Sequence, residues 1–465
     1  MSEPVPSCPR CAELLQRIAQ LEQTVRDLEA RLGQNASNSS LPPSANPPSA
    51  PKPVVKKRTG KPTGGQPGHL GLSRLRLPPA RVTHTIPLVP NRCERCRAPL
   101  SAQPGPDDPE PSWHQFAELP RLAAVVTEFQ GHARTCACCG HVTRERIPAE
   151  IRAHTFGPRL AAALGYLSGS QHLTQRGLEE TAETLFEVPV SLGSVNTLQE
   201  ELSQALAPPH GEIAEAVQQA EVKHVDETGW KQAGQRRWLW AAVTTGAVYF
   251  LVQVGRGVKA LRGLLGAAFR GVICSDRWSA YQAVPLEQRQ ICWAHLKRDF
   301  QAMVDRGGAA AALGEELLFH TDVLFELWYK VREGTRGRRW LRRQVEQWLR
   351  GEVRLLLERG TGCACAETAG TCAKILEVEE ALWTFARVEG VEPTNNAAER
   401  ALRSAVLRRK RTFGNHSAAG CAYVSRLLSV VQTLKLQGRP VLEDLQQAVE
   451  AYRHGGPPPK LLPTP

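Results

Sequence analysis

The chain has 465 residues, of which 42% are hydrophobic and 22% charged, and carries a formal net charge of +12. This is ordinary globular composition with length for about three domains, so whole-chain disorder is excluded. No run reaches the ~18 apolar residues of a membrane span, the first residues lack a secretory pattern, and the 13 cysteines are too sparse for a disulfide scaffold. The basic balance favours a polyanionic partner, most simply nucleic acid.

In chain order, Cys11, Leu14, Ile18, Leu21, Val25, Leu28 and Leu32 alternate spacings of three and four, and Gly33 follows. That seam predicts a short coiled coil over residues 8–33, hence self-association; the alternative is an amphipathic helix packed on its own domain. Residues 34–80 are rich in Pro, Ser, Gly and Asn and predict a flexible linker. Its Lys56, Lys57 and Arg58 suit either an arm along DNA phosphates or a solubilising tether.

Residues 81–150 contain Cys93-x-x-Cys96 and Cys136-x-x-Cys139, four thiolates that suit structural Zn2+. The pairs lie farther apart than the usual ~15–20 residues, with a strand-like RLAAVVTEF between them, so a small β module is expected. Cys138 makes the ligand choice ambiguous, and His132 or His141 could substitute. Residues 151–215 read as helical. Within them, VPVSLGSVNTLQEELSQAL resembles the second half of a helix-turn-helix, opening at Gly193 or Ser194; a packing bundle is the stronger reading.

From residue 221 the period changes. VKHVD, RWLWAAVT and AVYFLVQV predict three strands, followed by helix, strand GVICSD, strand RQICW and helix AHLKRDFQAM. An α+β fold with a mixed sheet flanked by helices is expected. Helical sequence over about 305–390 interrupts it. Two closing helices over 416–455 and a disordered tail, 456–465, are expected after the helix NNAAERALRSAVLRRKR.

Asp226 is expected to end the first strand and Asp276 the fourth, so both carboxylates could meet at one sheet edge around Mg2+ or Mn2+. Glu399 on a crossing helix would complete a site able to support phosphodiester chemistry. Each acid also has a plain reading. The aspartates suit strand-end turns, and Asn396-Ala-Ala-Glu399 suits a capping box. Arg400, Arg403, Arg408, Arg409, Lys410 and Arg411 suit a DNA-backbone-binding face or a solvated helix face.

The ordered set NSSLPPSANPP, GGQPGH, the double C-x-x-C, VDETGW, SDRWSAY, CWAHLKRDF and TNNAAERALR resembles the transposases of the insertion sequence 66 family. The resemblance covers nearly the whole chain. It implies a ribonuclease H-like catalytic core over 216–415 with a helical insertion, and an Asp226, Asp276, Glu399 triad. It implies metal-dependent DNA cleavage and strand transfer at terminal inverted repeats in a bacterial, nucleoid-associated setting. The expected partners are element ends, target DNA, a further copy of the chain, and accessory proteins of the same element. His295, Lys297 and Arg298, beside the active site in the family, are expected to position DNA phosphates or the attacking hydroxyl; Cys292 as core and His295 as a helix cap is the alternative. Arg277-Trp278 departs from the smaller residue common after the second acid. An inactive DNA-binding relative and a structure-specific nuclease of ribonuclease H-like fold are the competing functions.

Overall fold

A computed structural model describes residues 9–39, 75–266 and 269–462. Lys56, Lys57, Arg58 and most of the predicted linker lie outside the described residues, as does the end of the tail. The chain divides into two compact units, Pro51–Ala123 and the remainder. Among the described residues no helix is long and apolar enough to cross a membrane.

In the smaller unit, Gln115 receives the Leu77 N–H at 2.7 Å and returns a bond to its carbonyl, while Arg76 lies over Trp113. An isolated bridge, Arg92 to Pro99, brackets the Cys93–Cys96 turn. Residues 121–129, which straddle the boundary between the two units, form no strand, contrary to expectation; Val125 and Val126 are almost fully exposed, and the Ala124 N–H donates to the Phe186 carbonyl at 3.0 Å.

The larger unit starts with helix α1 (Pro9–Leu32), whose Leu14, Ile18, Leu21, Val25 and Leu28 are all exposed. Strands β1 (Ala133–Thr135) and β2 (Val142–Arg144) form a hairpin around the Cys136–Cys139 turn. Helices α2 (Ala149–Arg152), α3 (Pro158–Gly169), α4 (Gln175–Phe186), α5 (Leu192–Ala205) and α6 (Ala207–Gln219) follow. The start of α5 differs slightly from expectation. Ser191 is its N-cap and accepts the Ser194 N–H at 3.2 Å, which satisfies one of the free amides of the first turn.

Strands β3 (Val222–Gln232), β4 (Gln235–Val243) and β5 (Val248–Gln253) form an antiparallel meander. Helix α7 (Val258–Leu265) leads to β6 (Val272–Ser275) and then β7 (Arg289–Ile291), both parallel to β3. The sheet order is β5-β4-β3-β6-β7. After α8 (Trp293–Arg306) come α9 (Gly308–Arg332), α10 (Arg338–Gln344), α11 (Arg350–Thr361), α12 (Ala366–Leu376) and α13 (Thr384–Arg387). Helices α14 (Asn396–Thr412), α15 (Ala418–Leu436) and α16 (Val441–His454) close the unit.

Two apolar cores explain this order. The first packs Leu164, Leu202, Trp240, Phe250 and Leu427, joining the meander to α3–α5 and α15. Its contact with β5 is reinforced when Ser425, Ser429 and Thr433 of α15 accept the strand's N–H groups, leaving no unpaired sheet edge there. The second core packs Ile291, Trp293, Phe300, Leu317, Leu357 and Trp383, so α8–α13 gather beside β6 and β7 around their own apolar centre. The run between β7 and α14 therefore carries enough apolar surface to pack independently of the meander.

Candidate active site

Asp226 does not end its strand. β3 continues to Gln232, because β4 pairs with it along its full length. What ends near Asp226 is the parallel pairing with β6, whose last register pair is His224 and Cys274. Continuing that register sets Asp226 level with Asp276, the first residue after β6. Each aspartate accepts a nearby backbone N–H: Asp226 from Glu227 at 2.8 Å, Asp276 from Trp278 at 2.9 Å. These bonds fix the carboxylates without neutralising them, and among the described residues neither has an ion-pair partner.

Glu399 comes from the first turn of α14. The expected capping box is not formed: Asn395, not Asn396, is the N-cap, and no side chain caps the helix. Asn395 is instead buried between elements. Its side-chain amide donates to the Val225 carbonyl at 2.8 Å, and its backbone N–H to Cys292 Sγ at 3.2 Å. The first contact ties α14 to β3 one residue before Asp226; the second ties it to the N-cap of α8. Glu399 thereby enters the field of the aspartates.

The electrostatics register this convergence. Burial, followed by the charges of Glu227 and Asp276, with a smaller part from Glu399, pushes the Asp226 carboxyl well above the usual carboxylate range. Glu399 Oε1 is buried without a hydrogen bond, 3.7 Å from His295 Nδ1, which also lacks one. Cys292, His295 and Glu399 place ligand atoms within 4.8 Å of one another. The Cys292 thiol is buried and pushed up to about 11, first by desolvation.

Three further residues support the site. Glu227 is buried, ion-paired to Arg256 at 2.5 Å and bonded by the Tyr281 hydroxyl at 2.7 Å. Arg256 lies between the Trp238 and Trp278 rings, and the Trp278 indole donates to its carbonyl. Trp278 therefore packs over Arg256. The sequence contained these residues in VDETGW and SDRWSAY, but only folding reveals Glu227, Tyr281 and Arg256 as one linked group.

The predicted DNA-contacting residues divide. Arg400, Arg403, Lys410 and Arg411 are exposed on α14. Arg408 and Arg409 are not available as a solvent face, contrary to that reading. Arg408 is buried and bonds Ser168, whereas Arg409 bonds Thr228 and Gly229, because helical spacing turns both toward the protein. Lys297 is ion-paired with Asp322, and Arg298 is half-buried.

The two cysteine turns share a geometry. Arg97 N–H donates to the Cys93 carbonyl and Gly140 N–H to that of Cys136, each at 2.9 Å, and both donors have positive φ. Backbone N–H groups at Cys96 and Arg95 lower the Cys93 thiol; those at Cys139 and Cys138 lower Cys136.

With this geometry in place, a family model described as "Transposase IS66 family" matches residues 153–422. The chain belongs to the IS66 transposase family. A second model, described as a family of unknown function (DUF6444), matches residues 6–74. Among relatives, an uncharacterized protein, y4qI, of Sinorhizobium fredii (strain NBRC 101917 / NGR234) is 25% identical over 53% of this chain and 50% of its own length. Another from the same strain, y4hP, is 24% identical over 75% of this chain and 68% of its own. The chain thus spans half of the first relative. The transposase family match covers every acid of the candidate site and the whole five-stranded sheet.

Proposed function

We propose that this IS66-family transposase cleaves DNA at the terminal inverted repeats of its element and joins the freed 3′ ends to target DNA. What supports this reading is that Asp226 and Asp276 stand level at the ends of the β3–β6 pairing, and that the Asp226 carboxyl is pushed up first by burial, then by the charges of Glu227 and Asp276, with a smaller part from Glu399. A ribonuclease H-like core, interrupted by α9–α13, agrees with the strand order.

The donor set fits a divalent cation. Asp226 and Asp276 form no ion pair among the described residues, and one Glu399 oxygen is buried without a hydrogen bond. Hard oxygen donors favour Mg2+ or Mn2+ over softer ions. Asp226, Asp276 and Glu399 would hold the ion, which when bound polarises phosphate and lowers the pKa of an attacking water or hydroxyl. His295 Nδ1 stands 3.7 Å from Glu399 Oε1, beside the third acid. Arg400 and Arg403 on the same helix, with Lys410 and Arg411, supply positive charge for phosphates alongside. Each cysteine turn, Cys93–Cys96 and Cys136–Cys139, is proposed to supply a pair of structural Zn2+ ligands, supported by the backbone geometry within each turn. The α1 seam is proposed to associate with a second copy of the chain.

The test is cleavage of DNA bearing the element's ends. Wild type should nick it with Mg2+, while Asp226→Asn should bind and not nick. Nicking by that variant at the wild-type rate would remove Asp226 from the mechanism.

A further inference from the structure

A cleft of about 570 Å3 lies between α5 and the start of α15, and none of the three acids lines it. Asn196, Gln199 and Glu200 on the polar face of α5 form one side; the loop Gly414–Ser417 forms another. Its volume is in the range of sites for small organic molecules.

Two guanidinium groups reach the cleft, alongside one carboxylate, Glu200. Arg408 lines it at 7% exposure, with one terminal nitrogen on Ser168 at 3.2 Å from the hydroxyl, yet its Nε has no hydrogen-bond partner. A buried guanidinium N–H without an acceptor is costly, and an anionic oxygen supplies one. Arg426 brings a second guanidinium, held by Ser203 at 3.0 Å. The 19-residue α15 begins at the same wall, with Ser417 as N-cap, adding the positive end of its dipole.

The adjoining loop presents an aromatic ring. Phe413 sits between the lining residues Thr412 and Gly414, is 78% exposed, and has φ 57°, a conformation uncommon for a bulky residue. The loop after it is pinned to β3. Asn415 N–H donates to the Lys231 carbonyl at 2.9 Å, Ala233 N–H to the Asn415 carbonyl at 2.8 Å, and the Trp230 indole to Asn415 Oδ1 at 3.0 Å. An exposed ring next in sequence to the lining residues Thr412 and Gly414 suits a base joined to a phosphate in the cleft.

We propose that this cleft captures one unpaired nucleotide of a DNA strand, its phosphate near Arg408, Arg426 and the start of α15, its base on Phe413. A paired base cannot offer its face to the ring, so the site selects frayed or single-stranded DNA. The inference rests on the reading that the chain acts on DNA.

The test uses the full chain and a DNA hairpin, either blunt or with a five-nucleotide 3′ thymidine tail, followed by fluorescence anisotropy. Wild type should prefer the tailed hairpin. Phe413→Asn, which tolerates positive φ, should lose about tenfold in tailed affinity and little in blunt affinity. Glu200→Gln, removing a negative charge from the wall, should gain about twofold, a result misfolding does not produce. Equal wild-type affinity for both hairpins, or wild-type behaviour by both variants, overturns the cleft site. Failure of wild type to nick end DNA with Mg2+ would instead defeat the transposition reading, and leaves this binding comparison decisive on its own.

Discussion

The side-chain amide of Asn395 donates to the backbone carbonyl of Val225 at 2.8 Å, deep between α14 and β3. This bond sets the depth at which α14 meets the sheet, four residues before Glu399 and one before Asp226. Asn395→Ala leaves a buried carbonyl unpaired and should cost about 1–3 kcal/mol. Thermal unfolding should show that loss, and nicking should fall more than DNA binding. Full nicking activity with unchanged stability would mean that Glu399 is placed without this bond.

Three acids sharing the proposed site would repel when no cation accompanies them. Asp226→Asn should therefore unfold at a higher temperature than wild type in a chelator. Mg2+ should raise the wild-type midpoint, since an ion bound only by the folded state stabilises it, and should raise that of the variant much less. Equal Mg2+ shifts in both proteins would argue against Asp226 as a ligand.

The arginines of α14 should separate by burial. Arg408→Met leaves the buried Ser168 acceptors unpaired and should destabilise the protein by about 1–3 kcal/mol. Arg403→Ala and Lys410→Ala lie on exposed positions and should leave the unfolding midpoint within a degree or so, while weakening DNA binding and flattening its salt dependence. Thermal unfolding distinguishes the two behaviours, and anisotropy titrations at several salt concentrations check the exposed residues' contribution to DNA binding.

Burial lowers the Lys223 ammonium to about 8 from its ordinary 10.5, although it donates to the Ala220 and Arg270 carbonyls. Below pH 8 both folded and unfolded chains carry the proton, so the full burial penalty is present. Between pH 8 and 10.5 the unfolded chain binds more protons, and stability contributed at this site rises with pH. The stability difference between wild type and Lys223→Met should therefore shift toward wild type across that window in denaturant titrations. A constant difference would refute the assignment.

If the two cysteine turns hold zinc, the purified chain should contain the metal, and Cys93→Ser or Cys136→Ser should lower its content. Elemental analysis after dialysis against a weak chelator checks this. Equal zinc in wild type and both variants would exclude those cysteines as ligands.

Local pattern made the strand runs, the Asp226 and Asp276 blocks and the helical stretch after α8 legible, because hydrophobic period and turn residues act over a few positions. The length of β3 was not legible: β4 extends the strand past Asp226, and pairing partners are distant in sequence. The fate of Asn395 and Asn396 was likewise hidden, since a capping box is a local option that loses to a buried carbonyl at Val225. Helical spacing alone did not say which α14 arginines face solvent; Ser168 and Gly229, each from another element, decided it. Sequence determined which acids, cysteines and basic residues were present and on what kind of element. Tertiary structure decided which of them share one electrostatic field, because charge and hydrogen bonding act through space across residues that the chain keeps far apart.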